Sequence, residues 1–187
     1  MTSLSLARII GGVGSILVLF AFVLPDGSAL LVSGLILILI AVNHLSSIIK
    51  DQALNSNTQG AVVMYTLGTI IGFLFVYRGF PSFTVSGFTG PLLSADPLTA
   101  FFARFAGTRI VGLLATWFFF VVGSFYLKKA YDSIALNLKI DHFRTAGIVL
   151  LIGAVMLIVF GAGLIILFLG ATLQAAAFLS IEENRVQ

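Results

Sequence analysis

The sequence predicts an all-α polytopic membrane bundle of about six transmembrane helices arranged as three hairpins. Three observations carry that expectation. Hydrophobic residues make up 59% of the 187-residue chain and charged residues only 9%, against roughly 25% charged in a soluble domain; mean hydropathy is +1.15. Apolar runs close to bilayer-crossing length recur between short polar breaks. The stretch Thr145–Ile181 runs 37 residues without one Asp, Glu, Lys, Arg or His. As a single helix it would extend ~55 Å, far beyond the ~30 Å hydrocarbon layer. It must therefore reverse, and Gly161-Ala162-Gly163 is where its composition permits a turn.

The elements follow in order within a single membrane domain, 1–187. Residues 6–24 hold Arg8 as their only charge and read as a first span. A cleaved leader fits less well, because a second apolar run begins directly after Pro25-Asp26-Gly27-Ser28. That tetrapeptide has turn chemistry: proline fixes φ, aspartate caps, and glycine takes positive φ. Span 29–49 turns polar on one side at its end, where Asn43, Ser47 and Lys50 recur at helical spacing. Lys50–Gln59 reads as an aqueous loop. Span 60–77 carries Gly68 and Gly72 in a G-x-x-x-G, candidate helix-packing residues because small side chains let helix backbones approach.

The connection 78–109 contains three of the four prolines and six phenylalanines. Asp96-Pro97 reads as a helix start, and Leu98, Phe101, Phe102 and Phe105 then recur at amphipathic spacing. The pattern predicts a short interfacial helix with Arg104 toward headgroups. Span 110–127 runs on with Tyr131, Ile134, Ala135 and Leu138 on one side, and Asp141 reads as the N-cap of the next helix. Spans 145–160 and 164–181 complete the set. Gly34-x-x-Leu37-x-x-x-Ala41 recurs as Gly170-x-x-Leu173-x-x-x-Ala177, a match expected by chance in a chain so rich in Gly, Leu and Ala.

Charge sets the orientation. Arg8, Lys50, Lys128, Lys129, Lys139, Arg144 and Arg185, seven of the ten basic residues, share a side with both termini. That bias places both termini in the cytoplasm.

Composition excludes more functions than it supports. There is no cysteine, so disulfide and thiolate chemistry are absent. No span carries an ionisable group away from its ends, which argues against a proton-coupled pump. No G-x-S-x-G, P-loop or H-E-x-x-H occurs, and no catalytic or metal residue is expected. His44 and His142, the only histidines, fall at helix ends and read as interfacial side chains. Hydroxyls within spans bond to their own backbone. Gln174 is different: a mid-helix amide needs a partner on another helix, making it the third candidate packing residue. The expectation is a non-enzymatic accessory or scaffold subunit without cofactor. Its partners would be membrane lipid and a membrane protein or second copy, with no nucleic acid. Two rivals are weighed beside it: a channel or carrier for small neutral solutes lined by Asn43, Thr66, Thr69 and Gln174, and a redox subunit holding haem on His44 and His142.

Three stretches resemble a known family. They are Ser3-Leu-Ser-Leu-Ala-Arg8-Ile-Ile-Gly-Gly-Val-Gly14-Ser-Ile-Leu17; Gly34 to Ala41 with Leu45-Ser46 and Lys50-Asp51; and Ala130-Tyr131-x-x-Ile134-Ala135 with Phe143-Arg144-Thr145-Ala146-Gly147 and Ile152-Gly153-Ala154. The chain resembles the archaeal multi-pass membrane proteins grouped as domain of unknown function 996. The resemblance implies an archaeal plasma-membrane protein and carries no activity or site residue with it. Segment 78–109 lies outside it and reads as an insertion particular to this member.

Overall fold

The computed structural model describes residues 3–21, 24, 27–79, 108–159 and 162–181. Six helices occupy them: α1 (Ser3–Ala21), α2 (Ser28–Ile49), α3 (Gln52–Gly79), α4 (Thr108–Leu138), α5 (Asp141–Met156) and α6 (Ala162–Leu179). No strand occurs among the described residues. The expected interfacial helix at Leu98, Phe101, Phe102 and Phe105 lies outside them.

Each helix packs against its chain neighbours, α1–α2, α3–α4 and α5–α6 most extensively, and α1 also packs on α6. The bundle is therefore a closed ring of three hairpins. Among the described residues four segments are long and apolar enough to cross a membrane: Leu4–Ala21, Ser28–Ile49, Gly112–Leu138 and Ala162–Leu179. The 16 residues of α5 reach only ~24 Å. By the same rise α4, with 31 residues, extends ~46 Å and outruns a ~30 Å hydrocarbon layer.

The outer surface is an apolar belt. Ile9, Val13, Ile16 and Phe20 line it on α1, Val63, Leu67 and Ile70 on α3, and Ile148, Ile152 and Val155 on α5. One edge of the belt is drawn by exposed Arg8, Asn43, Gln59, Lys129 and Arg144, one from each of α1 to α5. Lys129 lays its ammonium 4.6 Å from the Phe125 ring centre, its stem against the belt and its charge at the rim. Beyond that edge lie the turns Lys50-Asp51 and Lys139-Ile140, beside the start of α1 and the end of α6.

Several expected boundaries shift, each for a physical reason. Lys50–Gln59 is not a loop. The Asp51 carboxylate accepts the amides of Ala53 (2.9 Å) and Leu54 (3.3 Å), capping a helix that begins at Gln52. Asp141 is not a cap: Ile140 holds that position without a side-chain bond, and Asp141 sits in the first turn, where the helix dipole still favours its charge. The last reversal falls between Met156 and Ala162. It is built from Val159 donating to the Met156 carbonyl (3.0 Å) and Ala162 to that of Val159 (3.0 Å). Gly163 is already helical, and a Cβ there would run into the Gly153 carbonyl and Leu157.

Gly27 likewise holds φ −63° rather than a positive value, and serves close approach, since a Cβ would collide with Ala21. Among the non-glycine residues described, positive φ falls to Lys50 (58°) and Lys139 (53°). The α1–α2 seam is a reciprocal glycine contact. A Cβ on Gly34 would lie 2.6 Å from the Gly14 carbonyl oxygen, and a Cβ on Gly14 would lie 2.8 Å from that of Gly34.

Two substitutions test this packing by thermal melting in detergent. Gly34→Ala forces apart two backbones that cannot yield, and is expected to cost about 1–3 kcal/mol. Lys50→Gly relieves a left-handed conformation unfavourable to a side chain but gives up a cation at a helix C-terminus, and is expected to stabilise by no more than about 0.5 kcal/mol.

Candidate functional site

The inward faces of the ring carry a neutral polar layer. Ser15 on α1, Ser46 on α2, Thr58 on α3, Ser124 on α4 and Gln174 on α6 are the buried polar side chains among the described residues, and none is charged. Most of their polar groups are bonded. Gln174 Nε2 donates to Ser15 Oγ at 3.0 Å, and Ser15 passes its own proton to the Gly11 carbonyl at 2.8 Å. This relay stitches α6 to α1. Tyr65 OH and Ser124 Oγ share a buried hydrogen bond of 2.6 Å that stitches α3 to α4. Thr58 donates to the carbonyl of Leu54 at 2.9 Å.

Beside this layer stands a cluster of three rings. Tyr131, Phe143 and Phe178, from α4, α5 and α6, are all fully buried. They meet edge to face, with centroids 5.5 Å apart for Tyr131–Phe143, 6.3 Å for Tyr131–Phe178 and 5.1 Å for Phe143–Phe178. Phe178 is admitted because Gly11 has no side chain; a Cβ there would overlap its ring. The Tyr131 hydroxyl is buried with no hydrogen-bond partner among the described residues.

The charged chemistry lies beyond the belt's edge. Besides capping α3, Asp51 accepts a hydrogen bond from Ser133 on α4, and Ser46 on α2 donates to its carbonyl at 2.6 Å. One residue thus gathers three helix ends. The Ser133 hydroxyl holds the Asp51 carboxyl below its ordinary pKa; slight desolvation opposes this and the two capping amides assist it. Lys128 pairs with Asp132 one turn along α4, about a third exposed, and such a pair adds little stability.

The sequence-selected residues are placed as follows. Gly68 faces α4, where a Cβ would lie 2.8 Å from the Phe120 ring, and Gly72 faces Thr116 at 3.3 Å. Gln174 bonds across to α1. Of the residues considered for a solute path, Asn43 faces outward and Thr69 bonds to the Tyr65 carbonyl of its own helix. Sequence reasoning missed Asp51 as a cap, which its place just before a helix-permissive polar run could have revealed. It also missed the Tyr131–Phe143–Phe178 cluster, whose members are distant in sequence and carry no shared local pattern.

A helical ring with an apolar exterior and a neutral interior is the construction of an α-helical membrane protein. The family model described as protein of unknown function (DUF996) matches residues 30–172, from α2 into α6, and the chain belongs to that family. Uncharacterized protein MJ1644 of Methanocaldococcus jannaschii is 27% identical over 178 residues, which cover 95% of this chain and 93% of that protein. The bounds of the family match enclose segment 78–109. No solved structure matches it.

Two measurements probe the site. The double-mutant cycle of Gln174→Leu and Ser15→Ala is expected to give a coupling of about 1 kcal/mol in detergent melts. Because the folded-state pKa of Asp51 is depressed, its contribution is present above the ordinary carboxylate range and lost as pH falls through the folded value. Asp51→Asn is therefore expected to flatten the fall in melting temperature below pH ~4.

Proposed function

We propose that this chain is a non-enzymatic accessory or scaffold subunit of the plasma membrane. It crosses the bilayer six times with both termini cytoplasmic, and works by presenting packed helices to lipid and to a membrane-protein partner or second copy. The observation that carries this reading is the disposition of polar groups. The buried Tyr65–Ser124 and Gln174–Ser15 pairs hold helices together, while the exterior offers apolar relief such as Phe118 and Ile165. A surface of this kind recognises partners by shape and small-residue contact rather than by reaction.

The orientation rests on exposed Arg8, Lys50, Lys129, Lys139 and Arg144, which crowd one rim of the belt. The six-span reading rests on the closed ring, in which α3 and α5 are each flanked by helices that meet the crossing criterion.

Extraction in mild detergent or lipid nanodiscs followed by native mass spectrometry is expected to show a stable homo- or hetero-complex retaining lipid. A strictly monomeric, lipid-free species would overturn the proposal.

A further inference from the structure

We infer that the α5–α6 turn is a lipid-binding apex, immersed in the acyl chains of the far leaflet rather than exposed to water. The inference rests on the six-helix membrane placement proposed above and adds the layer in which the last reversal lies.

Composition sets this turn apart. From residue 146 to residue 171 the chain holds no polar side chain, and the reversal falls inside that run. The other short connections carry Asp26, Lys50-Asp51 and Lys139. Around the α5–α6 turn Ile158, Val159, Leu164 and Ile165 are all exposed. Outward aliphatic side chains gathered at one tip mark a surface made for hydrocarbon.

The backbone agrees. In hydrocarbon a peptide group must find its partner within the protein, since no water can serve. Leu157, Val159 and Ala162 donate to the carbonyls of Ala154, Met156 and Val159 at 3.4, 3.0 and 3.0 Å. The Val155 carbonyl lies at the end of α5, where carbonyls lose their onward helical partners. It accepts the Trp117 indole N–H at 3.3 Å. An aqueous turn would leave that carbonyl to solvent; here α4 supplies the donor.

Register gives the depth. On α4 the positions Lys129 and Arg109 stand 20 residues apart, ~30 Å along the helix and equal to the ~30 Å hydrocarbon layer. Two contacts align α5 with it. A Cβ on Gly147 would lie 3.1 Å from the Lys128 Cα, and Val155 meets Trp117. Trp117 falls eight residues inside Arg109, ~12 Å from it along the helix. Val159 follows Val155 by four residues, ~6 Å at helical rise. The reversal therefore stops ~6 Å short of the far charged position, still within the acyl layer.

Trp117 is the chain's one tryptophan and shares the depth of Val155, so its fluorescence is the first test. The full chain is reconstituted in vesicles of phosphatidylcholine brominated either near the headgroup or deep in the acyl chain. Deep bromines are expected to quench Trp117 several-fold more strongly than shallow ones, and aqueous iodide to leave it unchanged. Because the chain has no cysteine, Val159→Cys reports on the apex itself. In vesicles opened to both sides, a membrane-impermeant maleimide is expected to label it many-fold more slowly than Gln52→Cys, at the exposed start of α3. After denaturation in SDS the two are expected to label alike. Equal labelling in vesicles would overturn the inference while leaving the six-helix placement intact, and so would iodide quenching of Trp117. Recovery of the protein outside the membrane fraction would instead sink the membrane placement, and the inference with it.

Discussion

The fold depends on how closely two helices can approach when lipid gives them no hydrophobic reason to associate. Lipid tails cover an isolated apolar helix as well as a neighbour does, so association rests on contact and hydrogen bonding. At the α1–α2 seam the answer is a reciprocal glycine contact, each backbone carbonyl lying where the other's side chain would have been. The α5–α6 hairpin repeats the solution with Gly163 against Gly153, and Gly170 against Leu150. Between α3 and α4 the roles change: glycines receive aromatic rings, Gly68 taking Phe120 and Gly123 taking Tyr65. The outer hairpins are thus drawn tight by bare backbone, while the long central one is spaced by rings that also carry the Tyr65 hydroxyl to Ser124.

Polarity is arranged to support that packing. Among the described residues no charged side chain is buried; Lys129 and Arg144 are exposed at the rim, and Asp51 ties α2, α3 and α4 together beyond it. Inside, only neutral groups occur among the buried polar side chains, and each identified pair joins two different hairpins or the two helices of one. The Gln174–Ser15 bond closes the ring between the first and last helices, where no loop could do so. A charge-moving device would need ionisable groups at those depths. Among the described residues the buried polar pairs serve cohesion between helices instead.

Much of this was legible in the chain. The charge-free run to Ile181 implied a hairpin, Gln174 implied a bond between helices, and the stripe of Tyr131, Ile134, Ala135 and Leu138 implied an inward face; all four are buried. What escaped were features set by geometry rather than composition. Lys50–Gln59 looks aqueous because it is polar, yet one capping carboxylate makes it helix, its polar side turned outward while Leu54 and Thr58 turn in. Glycines near turns invite assignment to positive φ, but Gly27 and Gly163 are needed where backbones touch. The Gly14–Gly34 contact has no spacing signature, because it joins two helices rather than two turns of one.

The two left-handed lysines show how the rim and the turns constrain one another. Glycine would take φ near 58° or 53° without strain, whereas a side chain costs roughly 1 kcal/mol there. At the end of α2, however, Lys50 follows terminal carbonyls without onward helical partners, and a cation at that end is favoured by about 0.3–1 kcal/mol. Its amide still closes the last turn by donating to Ser46. The next residue, Asp51, immediately starts α3. A two-residue turn therefore stops one helix, starts the next and leaves an exposed positive charge between them. Glycine would satisfy the first demand alone, and a longer loop would lose the short tether that holds Asp51 beneath Ser46 and against Ser133. The strained lysine is the compromise that keeps hairpin geometry and a rim charge in one residue.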